Sequence, residues 1–168
     1  MATPNPHVQE PGEPATRDLE QFSQFLREGS PGPHAYVVLL GLQTFDAPDL
    51  LKSLRRGLRY QVFERLWRNT ALDFESLVLL VDIPRRTLTR RKREGRFHPE
   101  ESDRLLRAAR LFGAALELFE GDRDAAAEWL GNTQPALGGA TPLDYASSEL
   151  GAREVERLIQ RLEHGVFS

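Results

Sequence analysis

Residues 73–95 constrain the fold more than any other stretch. Asp73-Phe-Glu-Ser-Leu-Val-Leu-Leu-Val81 reads as an eight- or nine-residue helix rich in apolar residues. Asp82-Ile83 then forms a turn, and Pro84 can open a second helix because the first turn needs no amide donor there. Two helices joined by so short a turn cross at a steep angle. Leu77, Val81, Ile83 and Leu88 are the natural anchors between them, which leaves Arg85, Arg86, Thr89, Arg90 and Arg93 on the free face. The pattern is that of a helix-turn-helix over about residues 73–95. Side chains near the start of its second helix reach base edges in the major groove, where the planar arginine fork can bond both guanine acceptors.

Charge supports the same reading. The chain has 168 residues and a net charge of −3, but the balance is uneven. Residues 52–110 hold sixteen of the 22 Lys and Arg and eight of the 25 Asp and Glu, a local excess of +8 between acidic flanks. A basic middle is the electrostatic footprint of a polyanion-binding surface. Arg96 belongs to the DNA-binding set, and Arg91, Lys92, Arg96 and the stripe Arg104, Arg107 and Arg110 are expected on phosphates. Two residues depart from the usual motif. Val78 stands where a small residue is common and is expected to push the helices apart slightly. Asp82 stands where glycine is common, although aspartate tolerates the left-handed conformation. These departures leave open a motif with weakened DNA binding.

The remainder reads as all-α. Six of eleven prolines precede Ala35, so residues 1–16 are expected to be disordered, with a short amphipathic helix over about 17–28. Tyr36-Val-Val-Leu-Leu40 fits either a strand or a buried helix. Helices are expected from Pro48 to Gly57, Tyr60 to Asn69, Pro99 to about Glu120, Asp122 to Leu130, after Thr141, and Ala152 to about Glu163. The last should bury Val155, Leu158, Ile159 and Leu162, and Trp129 should be core. Three segments follow: an acidic, largely disordered 1–33, a helical domain 34–110, and a small helical domain 111–168.

The sequence offers little for catalysis. There is no cysteine, Walker loop, nucleophile elbow or dinucleotide fingerprint, so an enzyme, a cofactor and a metal site are not expected. His98 and Glu101 straddle a helix start without further ligands. No apolar run is long enough to span a bilayer and the start does not read as a signal peptide, which suits a cytoplasmic protein.

Four motifs, in order, carry a family resemblance: Ile83-Pro-Arg-Arg-Thr-Leu88, Pro99-Glu-Glu-Ser-Asp-Arg-Leu-Leu106, Pro135-Ala-Leu-Gly-Gly-Ala-Thr-Pro-Leu143 and Gly151-Ala-Arg-Glu-Val-Glu156, the last running on to Glu163-His164-Gly165. Over about residues 48–168 the chain resembles the Xre/MbcA/ParS-type antitoxins of RES-domain toxin–antitoxin systems. The family usually has serine where this chain has His98, a difference that touches only a helix cap. The resemblance implies that the central helices bind the operon's own promoter as a homodimer. It also implies that the C-terminal domain clasps a toxin that consumes NAD or ADP-ribosylates its target. On this expectation Arg153, Glu154, Arg157, Arg161, His164 and Phe167 face the toxin. A stand-alone transcriptional regulator, or a toxin-binding protein with weakened DNA affinity, are the alternatives.

Overall fold

The computed structural model describes residues 35–42 and 46–165, together with residue 24. The expectations for residues 1–16, for the helix over 17–28 apart from residue 24, and for Phe167 lie outside the described residues.

The apolar run that left strand and helix open is helical: α1, Ala35–Leu40, buries Ala35, Val37, Leu39 and Leu40. A segment apolar on nearly every side is stable only where neighbours cover it all round. A glycine helps here, because Gly113 lets the α1 backbone approach a longer helix so closely that a Cβ would sit 3.4 Å from the Tyr36 nitrogen.

From residue 46 the chain is a series of capped helices. α2 spans Ala47–Arg56 with Pro48 in its first turn. It ends at Gly57, whose φ of 82° brings the chain against Phe97; a Cβ there would lie 2.0 Å from the Phe97 carbonyl oxygen. α3 spans Gln61–Thr70 and stops at Ala71 in the left-handed region. α4, Phe74–Val81, is capped by Asp73, whose carboxylate accepts the Ser76 amide at 2.9 Å. α5 is Arg85–Glu94 and α6 is Pro99–Leu118. α7, Arg123–Gly131, is capped by Asp122, and a 3-10 turn over Pro135–Leu137 leads to α8, Pro142–Tyr145, capped by Thr141. α9 is Glu149–Glu163.

Two details differ from the sequence expectation. α9 begins three residues before Ala152, because the Ser148 hydroxyl accepts the Gly151 amide and caps the helix there. Trp129 is half-buried and leans on Phe119, ring centroids 6.4 Å apart, and so lies at the core's edge.

α6 is the axis. It packs against α1, α2, α3 and α4 on one side of the sequence and against α7 and α9 on the other. One apolar core runs from Leu39 through Phe63, Leu77, Leu105 and Phe112 to Val155 and Ile159. No strand occurs among the described residues, where the nearest thing to a sheet is an isolated antiparallel bridge between Arg59 and Arg96.

Candidate nucleic-acid interface and partner-facing helix

α4 and α5 meet at the turn expected from the sequence. Asp82 adopts φ 52°, ψ 43°, and its amide donates to the carbonyls of Val78 and Leu79. Leu77, Val81, Ile83 and Leu88 are all buried, and the four expected anchors belong to the one apolar core. Val78 is only half-buried and packs at the edge of the core. The turn is also held from α6, where the Arg104 guanidinium donates to the Asp82 carbonyl at 2.9 Å.

The outward face of α5 carries Arg86, Arg90 and Arg93, exposed and without a protein partner among the described residues. Their spacing of four and then three residues places them in one row. Thr89 is exposed beside them and its hydroxyl donates to the Arg85 carbonyl at 3.1 Å. Arg85 itself leans back onto α4. It pairs with Glu75 and lies over the Phe74 ring, 4.9 Å from the centroid. Arg96 is exposed, with its guanidinium on the Gly57 carbonyl.

Arg91 corrects the sequence reading. Expected on phosphates, it is only 3% exposed. Its guanidinium grips Glu101 through two hydrogen bonds of 2.7 and 2.8 Å and also reaches Glu94. The signal was present in the spacing: Arg91 follows the core residue Leu88 by three positions and so shares its inward face. Both groups titrate accordingly. The bond to Glu101 raises the Arg91 pKa despite burial. For Glu101, burial pushes the pKa up, but hydrogen bonds from Arg91 and from the His98 amide outweigh it and hold the carboxyl below its usual range. That His98 amide bond is half of a helix-capping exchange, so the departure at His98 leaves Glu101's part of the cap in place.

The stripe on α6 also makes contacts within the protein. Arg104 holds the Asp82 turn; Arg107 lies 3.3 Å from Glu149, and Arg110 lies 3.9 Å from Glu156. These guanidinium groups face carboxylates and a carbonyl of the protein, because α9 packs alongside α6 and brings its own acids to them. With Glu101, they form a ladder at three-residue steps along α6, touching in turn α5, the helix-turn-helix turn and α9. Between α6 and α9 lies a cleft of about 550 Å³ with Glu100, Asp103, Arg107, Glu149, Arg153 and Glu156 among its walls. Hydrogen bonds from Arg153 and from Arg107 lower the Glu149 pKa.

α9 buries Val155, Leu158 and Ile159, with Leu162 half-buried, as its spacing required. Its other side carries exposed Arg153, Arg157, Arg161 and His164, with Glu154 half-buried. Arg153 pairs with Glu149 at 3.0 Å and Arg157 with Glu154, both within the helix. Arg161 has no partner among the described residues. Sequence reasoning missed Leu150, 72% exposed at the head of the same row, three residues before Arg153 and four before Glu154. Tyr145, just upstream, is exposed too. Had the helix start been placed at 149, Leu150 would have shown as an apolar residue on the polar face.

Among the described residues no group of three or more His, Cys, Asp or Glu is placed to hold a metal ion. No helix among them is long and apolar enough to cross a membrane.

Comparison with known proteins divides the chain at the middle of α6. Residues 49–110 match a family described as the antitoxin Xre-like helix-turn-helix domain. Residues 114–165 match one described as the antitoxin Xre/MbcA/ParS C-terminal toxin-binding domain. The chain is 38% identical over 130 residues to an antitoxin Xre of Yersinia enterocolitica, covering 77% of this chain and 88% of that protein. An antitoxin Xre of Photorhabdus laumondii is 32% identical over the same shares. A Prs ADP-ribosylating antitoxin of a Sphingobium strain is 28% identical over 84% of this chain and 92% of its own length.

Proposed function

The chain belongs to the Xre antitoxin family and is the antitoxin of a toxin–antitoxin system; from that premise we propose that it neutralises a RES-type toxin and represses its own operon. The toxin in this reading consumes NAD or uses it to ADP-ribosylate a target, and the antitoxin covers its active site. Residues 34–110 serve the operator DNA and residues 111–168 serve the toxin. The protein acts as a homodimer in the cytoplasm, where the operon lies.

The observation that carries the reading is the pairing of two exposed, chemically different faces. The row Arg86, Arg90 and Arg93 offers guanidinium groups without a partner among the described residues, at the spacing of one helix face, with Thr89 beside it. Arg85 and Arg96 flank that row, each already leaning on the protein and able to exchange its contact for a phosphate. The α9 row of Leu150, Arg153, Glu154, Arg157 and Arg161, followed by the exposed His164, combines an exposed apolar anchor with charges, the composition of a protein–protein contact, and Phe167 is proposed from the sequence to add to it. Its internal pairs are solvent-exposed and therefore easily traded for a partner's groups.

The test is to express the neighbouring toxin gene with and without this chain while following cellular NAD and recovering the two proteins together. NAD should fall with the toxin alone and return when the antitoxin is present, with both proteins in one complex. A chain in which Arg153, Arg157 and Arg161 are changed to Glu should no longer protect. Full protection by that triple variant would remove α9 from the toxin contact. A promoter fragment should bind the wild type, with the paired changes Arg86→Ala and Arg90→Ala costing roughly 1–3 kcal/mol each in discrimination.

A further inference from the structure

The densest unpaired positive charge outside the row on α5 lies around the isolated bridge. Two backbone bonds tie the segment before α3 to the segment after α5: the Phe97 amide donates to the Leu58 carbonyl at 2.8 Å, and the Tyr60 amide donates to the Gly95 carbonyl at 3.0 Å. Arg59 and Arg96 are thereby placed as antiparallel bridge partners. Directly opposed like charges are destabilising in such a pair. Arg55 and Arg56 end α2 immediately before Gly57, the residue over which the Arg96 side chain passes.

Arg55, Arg56 and Arg59 are exposed and have no protein partner among the described residues. A helix C-terminus carries roughly half a negative charge, which favours basic residues in its last turn. Arg96 already donates to the Gly57 carbonyl at that end of α2, so three further guanidinium groups exceed what the dipole can balance.

We propose that this bridge is a second docking surface for the DNA backbone, with Arg55, Arg56 and Arg59 joining Arg96 on phosphates beside the groove that α5 enters. The proposal rests on the DNA-binding reading and deepens it. α5 is about 15 Å long, whereas the major groove is about 12 Å wide. In the proposed docking α5 reads bases with its first turns and crosses the groove, so that its C-terminal end, Gly95, reaches the phosphate wall. The bridge begins at that residue. These contacts follow the sugar–phosphate chain and carry no base preference.

The experiment measures the salt dependence of binding of the full chain, by fluorescence anisotropy, to the promoter fragment and to a random duplex of about 30 base pairs at about 50–200 mM KCl. The double variant Arg56→Gln with Arg59→Gln should lower the slope of log K against log salt by about 2, near 0.9 per lost phosphate contact. The ratio of promoter to random affinity should stay unchanged, and Arg59→Lys should keep the wild-type slope. An unchanged slope in the double variant overturns the proposal, as does a fall in the promoter-to-random ratio. A wild type that binds neither duplex overturns the DNA reading as well, so the two failures are distinguishable.

Discussion

Arg91 and Glu101 are separated by ten residues, yet the fold sets a mostly buried guanidinium against a mostly buried carboxylate. Removing one partner strands the other charge, and Arg91→Ala is expected to cost roughly 3–5 kcal/mol of unfolding free energy. Arg91→Met combined with Glu101→Gln should recover most of that loss, because no buried charge is left over and Gln can still accept the His98 amide. Chemical denaturation of the two variants checks this, and equal losses would mean that the ion pair is not the cause. The pH dependence has a definite sign. Glu101 has a folded pKa below its unfolded value, so its stabilisation is complete above the usual glutamate range near 4.3 and is lost as pH falls through the folded value. Glu101→Gln should therefore close the gap to wild type as pH drops below about 4. At this scale the sequence was partly legible. The row Arg86, Arg90 and Arg93 could be read from charge and spacing, and those side chains are exposed and unpaired among the described residues. Arg91 was misplaced because charge density outweighed a periodicity that pointed inward. The partners of Arg107 and Arg110, Glu149 and Glu156, come from a helix some forty residues away, which no local pattern reveals.

Helices α4 and α5 depend on a few apolar contacts, since α5 is long on arginine and has Leu88 as its buried apolar residue. Leu88→Ala should destabilise by about 2–5 kcal/mol, whereas Arg90→Ala should stay within about 0.5 kcal/mol, as expected for an exposed side chain without a partner. Thermal melts separate the two, and a large loss in Arg90→Ala would show that its guanidinium has a structural role. At α9 the close approach is steric. A Cβ on Gly151 would lie 1.6 Å from the Tyr145 carbonyl oxygen, so Gly151→Ala forces the α8–α9 junction apart. The expected result is a loss of about 1–3 kcal/mol in place of the gain alanine usually brings to a helix. A melting temperature at or above wild type would contradict the packing. Leu150→Ser on the same helix should weaken toxin capture while leaving the melt unchanged. Helix existence was readable from period and caps almost everywhere. The start of α9 was not, because Gly151 resembles a boundary and the cap at Ser148 becomes visible only once the Gly151 amide is seen to need an acceptor. The short run at α1 was undecidable for a different reason: six apolar residues satisfy either period, and only burial by α3 and α6 chooses the helix.

At the scale of the molecule, the two family matches end and begin at residues 110 and 114, within one uninterrupted helix. The all-helical class and the order of its parts were legible from punctuation by Pro, Gly and capping residues. The apolar stripe of α6 through Leu105, Ala109, Phe112 and Leu116 was legible too, but not what covers it, since α1 and α9 come to it by long-range packing. With no flexible joint between the halves, the relation between them is one of phase. Grafting the toxin-binding half of one relative onto the DNA-binding half of another must cross α6 in register. A single residue inserted after Arg110 turns everything downstream by about 100° and advances it by about 1.5 Å, carrying α9 away from Arg107. Recombination among such genes is thus permitted only at crossovers that conserve the residue count through this helix, and an in-register hybrid should stay folded where its one-residue insertion mutant does not.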